Sequence, residues 1–152
     1  LSKSSPKFSF EILKLINKNI LKKFNFLDVK NKFMDLNINN VDENFWLFIK
    51  NNIEYFYECL EWIDIIFSSF PNDIDNINFL NEAAQLLPDE PFTINTWDEW
   101  TLLIKNKTGL KGKNLFMPLR KALTGRDKGP ELKYLMPLLT KENIFKKFNI
   151  IT

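Results

Sequence analysis

GLKGKNLFMPLRKALTGRDKGPELKYLMPLL, residues 109–139, is the stretch that decides the fold. Leu115, Phe116, Leu119, Ala122 and Leu123 recur at the three- and four-residue spacing of one helical face, with Arg120 and Lys121 carried beside it. Thr124-Gly125 forms a stop, since glycine readily takes the left-handed conformation that closes helices. Pro118 lacks an amide hydrogen and belongs either in the first turn of that helix or at a kink. A polar turn follows, Arg126-Asp127-Lys128-Gly129-Pro130, and from Glu131 a second helix is expected with Leu132, Leu135 and Leu139 inward. The local reading is two short helices joined by a basic turn, with Arg120 behind it.

That arrangement has chemical consequences. Arginine presents a planar fork of donors suited to phosphates and base edges. Gly129 permits close backbone approach, and the start of the next helix exposes free N–H groups. Together they suit single-stranded RNA, whose splayed bases are accessible. On local chemistry alone, an ordinary helix–turn–helix connection with solvated charges is the plain alternative.

Outward from this segment the pattern stays helical. Phe10, Leu13, Ile16 or Leu15, Ile20 and Phe24 predict an amphipathic helix over 9–24, capped by Ser9 and ended near Asn25. A short helix is expected over 28–34. The most apolar stretch, 42–67, reads as one or two helices interrupted near Asn51-Asn52, with Asp42-Glu43 favourable at its start. Phe70-Pro71-Asn72-Asp73 is a loop and the expected subdomain boundary, giving 1–70 and 71–152. A helix over 76–87 stops at Pro88. Thr96 is expected to cap the next helix, with Glu99 at the capping-box position, Trp97, Trp100, Leu103 and Ile104 as its apolar stripe, and Gly109 as its end. No strand shows clear alternation. Only 4 glycines occur, and turn clusters at strand-like intervals are missing. The expected fold class is all-α, in two packed helical subdomains.

Composition sets further bounds. Hydrophobic residues make up 45% and aromatics 14%, enough for a substantial core. Histidine is absent and Cys59 is the one cysteine, which removes Ser/His and Cys/His catalysis, a conventional zinc site and any disulfide framework. No apolar run reaches the roughly 18 residues that span a bilayer, and LSKSSPKF lacks the apolar centre of a signal peptide. A cytoplasmic setting without membrane contact is expected. The net charge of +2 conceals strong segregation: residues 1–41 carry 8 basic and 3 acidic groups, 42–104 carry 1 and 13, and 105–152 carry 12 and 3. Two basic ends flank an acidic middle, which offers a positive surface to phosphates if the fold brings the ends together, the plain alternative being lysines that only solvate helix faces.

Residues 112–139 resemble the late anticodon-binding segment of bacterial glutamyl-tRNA synthetases, the glutamate–tRNA ligases of class I. Their pattern of G-K, P-L-R-x-A-L-T-G and G-P-x-L stands here as Gly112-Lys113, residues 118–125 and residues 129–132. TWDEWTLLIKNKTGLKG is similar to the helix before that core, and SPKFSFEILKLIN to the family's entry into the region. Residues 1–5, LSKSS, are similar to the KMSKS-type ATP loop, but residues 4–8 fit better the S-P-x-K-F context downstream of it. Without histidine a HIGH motif cannot exist.

The resemblance implies the helical anticodon-binding domain of the class I synthetase type, in a fragment whose parent attaches glutamate to tRNA. The parent would use ATP, with magnesium, in a missing N-terminal catalytic part, and no catalytic residue, cofactor or metal is expected on this segment. It implies that Arg120 reaches the anticodon loop and that Gly129, Pro130, Glu131 and Leu132 form the turn against its bases. Thr124, Arg126 and Lys128 complete the set on this segment. Lys22 falls where some members carry an arginine that reads the first anticodon base, and lysine does not replace its bidentate fork. Relaxed discrimination at that base follows, with glutamate tRNA as partner and glutamine isoacceptors as the second candidate. Phosphate contacts are expected from Lys146 and Lys147, and the protein is expected to be a monomer that does not bind DNA. Two other readings remain: a helical protein-interaction module working through its acidic middle, and a synthetase-like paralogue without an aminoacylation role.

Overall fold

The computed structural model describes residues 9–150, the side chain of Ile74 excepted, and every regular element among them is helical. They form two compact units, the first ending at Ile63 and the second beginning at Asp64.

In the first unit, α1 (Phe10–Lys23) starts where the Ser9 side chain accepts the Ile12 amide. Its neighbour α2 (Phe26–Asp35) starts at a capping box. The Asn25 side chain accepts from the Asp28 amide and the Asp28 carboxylate accepts from the Asn25 amide, at 3.1 and 2.8 Å. Asp42 caps α3 (Glu43–Ile49) through the Phe45 amide at 2.8 Å. The chain then passes Asn51-Asn52 as a turn, makes a short 3-10 turn over Phe56–Glu58 and enters α4 (Cys59–Phe67). Phe33 organises the core: its ring meets those of Phe45, Trp46 and Phe56 at 5.0–6.3 Å. The buried Trp46 satisfies its indole N–H on the Phe24 carbonyl at 2.9 Å. Burying one such ring removes about 150–250 Å² from water, a gross gain of about 4–6 kcal/mol.

The apolar stripe expected to bury α1 does not do so. Leu21 is its one buried residue, Phe10 is 80% exposed, and Leu13, Ile16 and Ile20 are also exposed. The core is filled by aromatics of α2, α3 and the segment leading into α4. Polar groups tether α1 instead: the Asn17 amide donates to the Glu54 carbonyl, and Lys14 pairs with Glu54 at 3.7 Å.

The second unit holds α5 (Ile77–Gln85), α6 (Thr96–Thr108), α7 (Lys113–Thr124), α8 (Leu132–Leu135), a 3-10 turn over Met136–Leu138, and α9 (Lys141–Lys147). Trp100 is its centre, fully buried, with its N–H on the Ala83 carbonyl at 2.8 Å and its ring stacked on Phe148 at 6.1 Å. Helix α8 packs on α6, and α9 packs on α7.

Two expectations are settled here. Thr96 is the first residue of α6 rather than its cap: the Glu99 amide bonds the Asn95 carbonyl, and the Thr96 hydroxyl accepts from the Thr93 amide at 2.8 Å. Pro118 lies inside α7, beyond its first turn. Residues 64–72, at the start of the second unit, are fastened to its later helices. The buried Lys147 ammonium donates to the carbonyls of Ile65 and Ser68, Arg126 pairs with Asp64 at 3.1 Å, and Asn72 donates to the Lys147 carbonyl at 2.8 Å.

Candidate nucleic-acid interface

Helix α7 carries the site. Leu115, Leu119, Ala122 and Leu123 are buried, so the faces beside them point Phe116 and Arg120 outward. The helix ends with Gly125 in the left-handed region, φ 68°, its amide on the Lys121 carbonyl at 2.7 Å. Thr124 is buried just before it. Its hydroxyl donates to the Arg120 carbonyl at 2.7 Å and accepts from the Arg126 amide at 3.2 Å. The same hydroxyl therefore ties the end of α7 to the start of the basic turn.

Arg120, half-buried, donates from Nη1 to the Pro130 carbonyl at 3.1 Å, clipping the far end of the turn back onto α7. A guanidinium has five N–H donors, so this bond orients the fork without exhausting it. In front of it opens a hollow of about 330 Å³ lined by Trp97, Asp98, Phe116, Arg120, Glu131, Leu132 and Lys133. The Trp97 and Phe116 rings lie 6.2 Å apart at 37°, Trp97 half-buried and Phe116 43% exposed. Lys133 pairs with Glu131 at 2.9 Å and lies over the Tyr134 ring at 4.8 Å. The hydrogen bond and charge of Glu131 hold its ammonium above the usual lysine range.

The hollow thus combines aromatic faces, an oriented cationic fork and a paired carboxylate. A larger hollow of about 410 Å³ lies among Phe70, Asn72, Asp73, Leu80, Lys121 and Asp127. Its two carboxylates outweigh its lysine, and Lys121 is already paired with Asp127 at 3.4 Å, so it is the poorer host for a polyanion.

The expected site residues separate into groups. Arg120, Glu131 and Leu132 line one hollow, Pro130 is fastened to it through Arg120, and Gly129 adjoins them in the turn. Lys128 is exposed on that turn. Arg126 is held by Asp64, and Thr124 is inside the fold, so both shape the turn from behind. Lys22 is exposed in the last turn of α1, in the first unit. The expected phosphate contact at Lys147 is overturned: the residue is 2% exposed and its ammonium donates to the Ile65 and Ser68 carbonyls at the end of α4, with the Phe70 ring 5.2 Å away. Burial pushes its pKa down to about 8, against a smaller opposing effect of Asp64. Lys146 is exposed.

Sequence reading placed Trp97 and Phe116 on core stripes. The signal for Phe116 was present, since adjacent positions in a helix lie about 100° apart and Leu115 already occupied the inward one.

A family model described as "Anticodon binding domain" matches residues 33–151. The chain belongs to that family. Over 155 residues the domain is 37% identical to "Glutamate--tRNA ligase 1" of Rickettsia typhi, covering 99% of this chain and 34% of that protein. It is 39% identical over 150 residues to the protein of the same name from Rickettsia massiliae, covering 96% and 33%. A crystal structure of a glutamate tRNA ligase from Elizabethkingia meningosepticum, in complex with its amino acid, shares the fold with a TM-score of 0.72. It is 21% identical, over 98% of this chain and 33% of that one. The domain spans about a third of the length of these relatives. The resemblance carried by residues 112–139 and the all-α class are borne out; the motif at residues 4–8 lies outside the described residues.

Proposed function

We propose that this domain reads the anticodon loop of glutamate tRNA as the C-terminal part of a glutamate–tRNA ligase. The observation that carries the reading is the hollow in front of Arg120, where two partly exposed rings share the lining with a guanidinium already oriented by the Pro130 carbonyl. An unstacked base gains stacking on Trp97 or Phe116, while the remaining Arg120 donors and the Glu131 carboxylate offer complementary partners to base edges. Lysines around the hollow supply affinity for phosphate, and base contacts supply selectivity.

In this reading Lys22 meets the first anticodon base with a single flexible donor group, so glutamate and glutamine anticodons are bound with similar affinity. The protein acts in the cytoplasm as a monomer. ATP and magnesium serve a catalytic part of the longer polypeptide, and no residue described here is assigned to them.

Binding of a glutamate anticodon stem–loop, compared with a blunt duplex of the same stem, tests the proposal. The loop form is expected to bind more tightly, with an affinity that falls as salt rises. Equal binding of both RNAs would refute loop reading, and a strong glutamate-over-glutamine preference lost in Lys22→Ala would refute relaxed reading.

A further inference from the structure

The second basic feature of this unit lies where α6 turns into α7. Lys105, Lys107, Lys111 and Lys113 fall within nine residues that contain no acidic group. All four are exposed, and among the described residues no carboxylate pairs with any of them. Two of the four share one hollow, and Lys113 follows Gly112 of its lining. A hollow of about 290 Å³, floored by Leu102, Leu115 and Phe116, has Lys105 and Lys111 on its rim. Lys113 opens a stripe on α7, since positions 113, 116 and 120 lie three and four residues apart and share a face. Lys107, two residues after Lys105 on α6, points well away from the Asp98–Leu102–Lys105 face that lines this hollow.

Asp98 and Phe116 belong to the walls of both this hollow and the one in front of Arg120, so the two are neighbours with a shared wall. One end presents aromatic faces and an arginine fork; the other presents unpaired ammonium groups over an apolar floor. That gradient matches a nucleic-acid strand entering a base-reading site, with backbone held by point charges and bases by planar groups.

We infer that Lys105, Lys111 and Lys113 hold the RNA phosphates flanking the bases seated in the Trp97–Phe116–Arg120 hollow. The inference rests on the anticodon-reading proposal and adds a backbone track to it. Asp98, on the wall common to both hollows, opposes phosphate binding by its charge.

The test measures binding of the complete chain to an anticodon stem–loop between about 50 and 200 mM salt. Each phosphate left without its ammonium partner lowers the slope of log affinity against log salt by about 0.7–0.9. The triple variant Lys105→Gln, Lys111→Gln, Lys113→Gln is therefore expected to lose roughly two units of slope, with its anticodon preference and thermal midpoint unchanged because the side chains are exposed. Lys107→Gln is expected to change the slope far less than any of the three, and Asp98→Asn to tighten binding. An unchanged slope in the triple variant, or an effect of Lys107→Gln equal to the others, overturns the track while leaving base reading intact. Failure of the unaltered chain to bind the stem–loop overturns both.

Discussion

Gly109 and Gly125 form a natural pair of experiments, because both close a helix in the left-handed region, at φ 73° and 68°. Alanine at either position meets the backbone cost of that conformation, about 1 kcal/mol. Their surroundings differ sharply. A Cβ on Gly109 meets nothing within 4 Å, whereas one on Gly125 would stand 2.4, 2.6 and 2.8 Å from three atoms of the Phe70 ring. To make room the ring must give up its place 5.2 Å from the buried Lys147 ammonium. Overpacking of this kind costs about 1–3 kcal/mol. Gly109→Ala should therefore lose about 1 kcal/mol, and Gly125→Ala about 2–4. Urea unfolding monitored by tryptophan fluorescence reads the difference as a shift in midpoint at constant slope. In a Phe70→Ala background the cost of Gly125→Ala should fall towards that of Gly109→Ala, a coupling that isolates the ring contact. Equal losses at the two glycines, or no coupling to Phe70, would refute the packing behind the basic turn.

Lys147 gives a pH test. Its pKa is lowered from 10.5 to about 8, chiefly by burial, so between those values the unfolded chain binds more protons and stability should rise with pH. The advantage of the wild type relative to Lys147→Met should grow by up to about 3 kcal/mol across that window and stay flat below pH 8; a flat difference throughout would show an unburied ammonium. Phe116, exposed over 43% of its surface, should cost about 1–3 kcal/mol of RNA affinity on replacement by alanine, with little change in the unfolding midpoint. Unchanged affinity would remove it from the interface.

Much of the helical plan was legible because caps and periodicity are local. Ser9, Asp42 and Gly109 act where their sequence positions indicated, and Leu132, Leu135 and Leu139 are buried as their spacing required. What escaped depends on partners distant in sequence. The stripe on α1 shows that the helix is amphipathic, but only the aromatic packing around Phe33 reveals that the core is full without it. Lys146 and Lys147 are indistinguishable as adjacent lysines. One is exposed, while the other reaches the Ile65 and Ser68 carbonyls, more than seventy residues away. Arg120 stands out in the sequence as a candidate through its motif. Its orientation by Pro130, and its company of Trp97 and Phe116, required α6, α7 and the turn to be brought together.

The most direct test is the affinity of the chain for a glutamate anticodon stem–loop against the same stem–loop with its anticodon bases replaced, for wild type and Arg120→Ala. A clear preference of the wild type for the glutamate anticodon is expected, with Arg120→Ala losing about 1–3 kcal/mol of binding and most of that preference. Undiminished preference in Arg120→Ala, or none in the wild type, would contradict the assignment of this hollow as the anticodon reader.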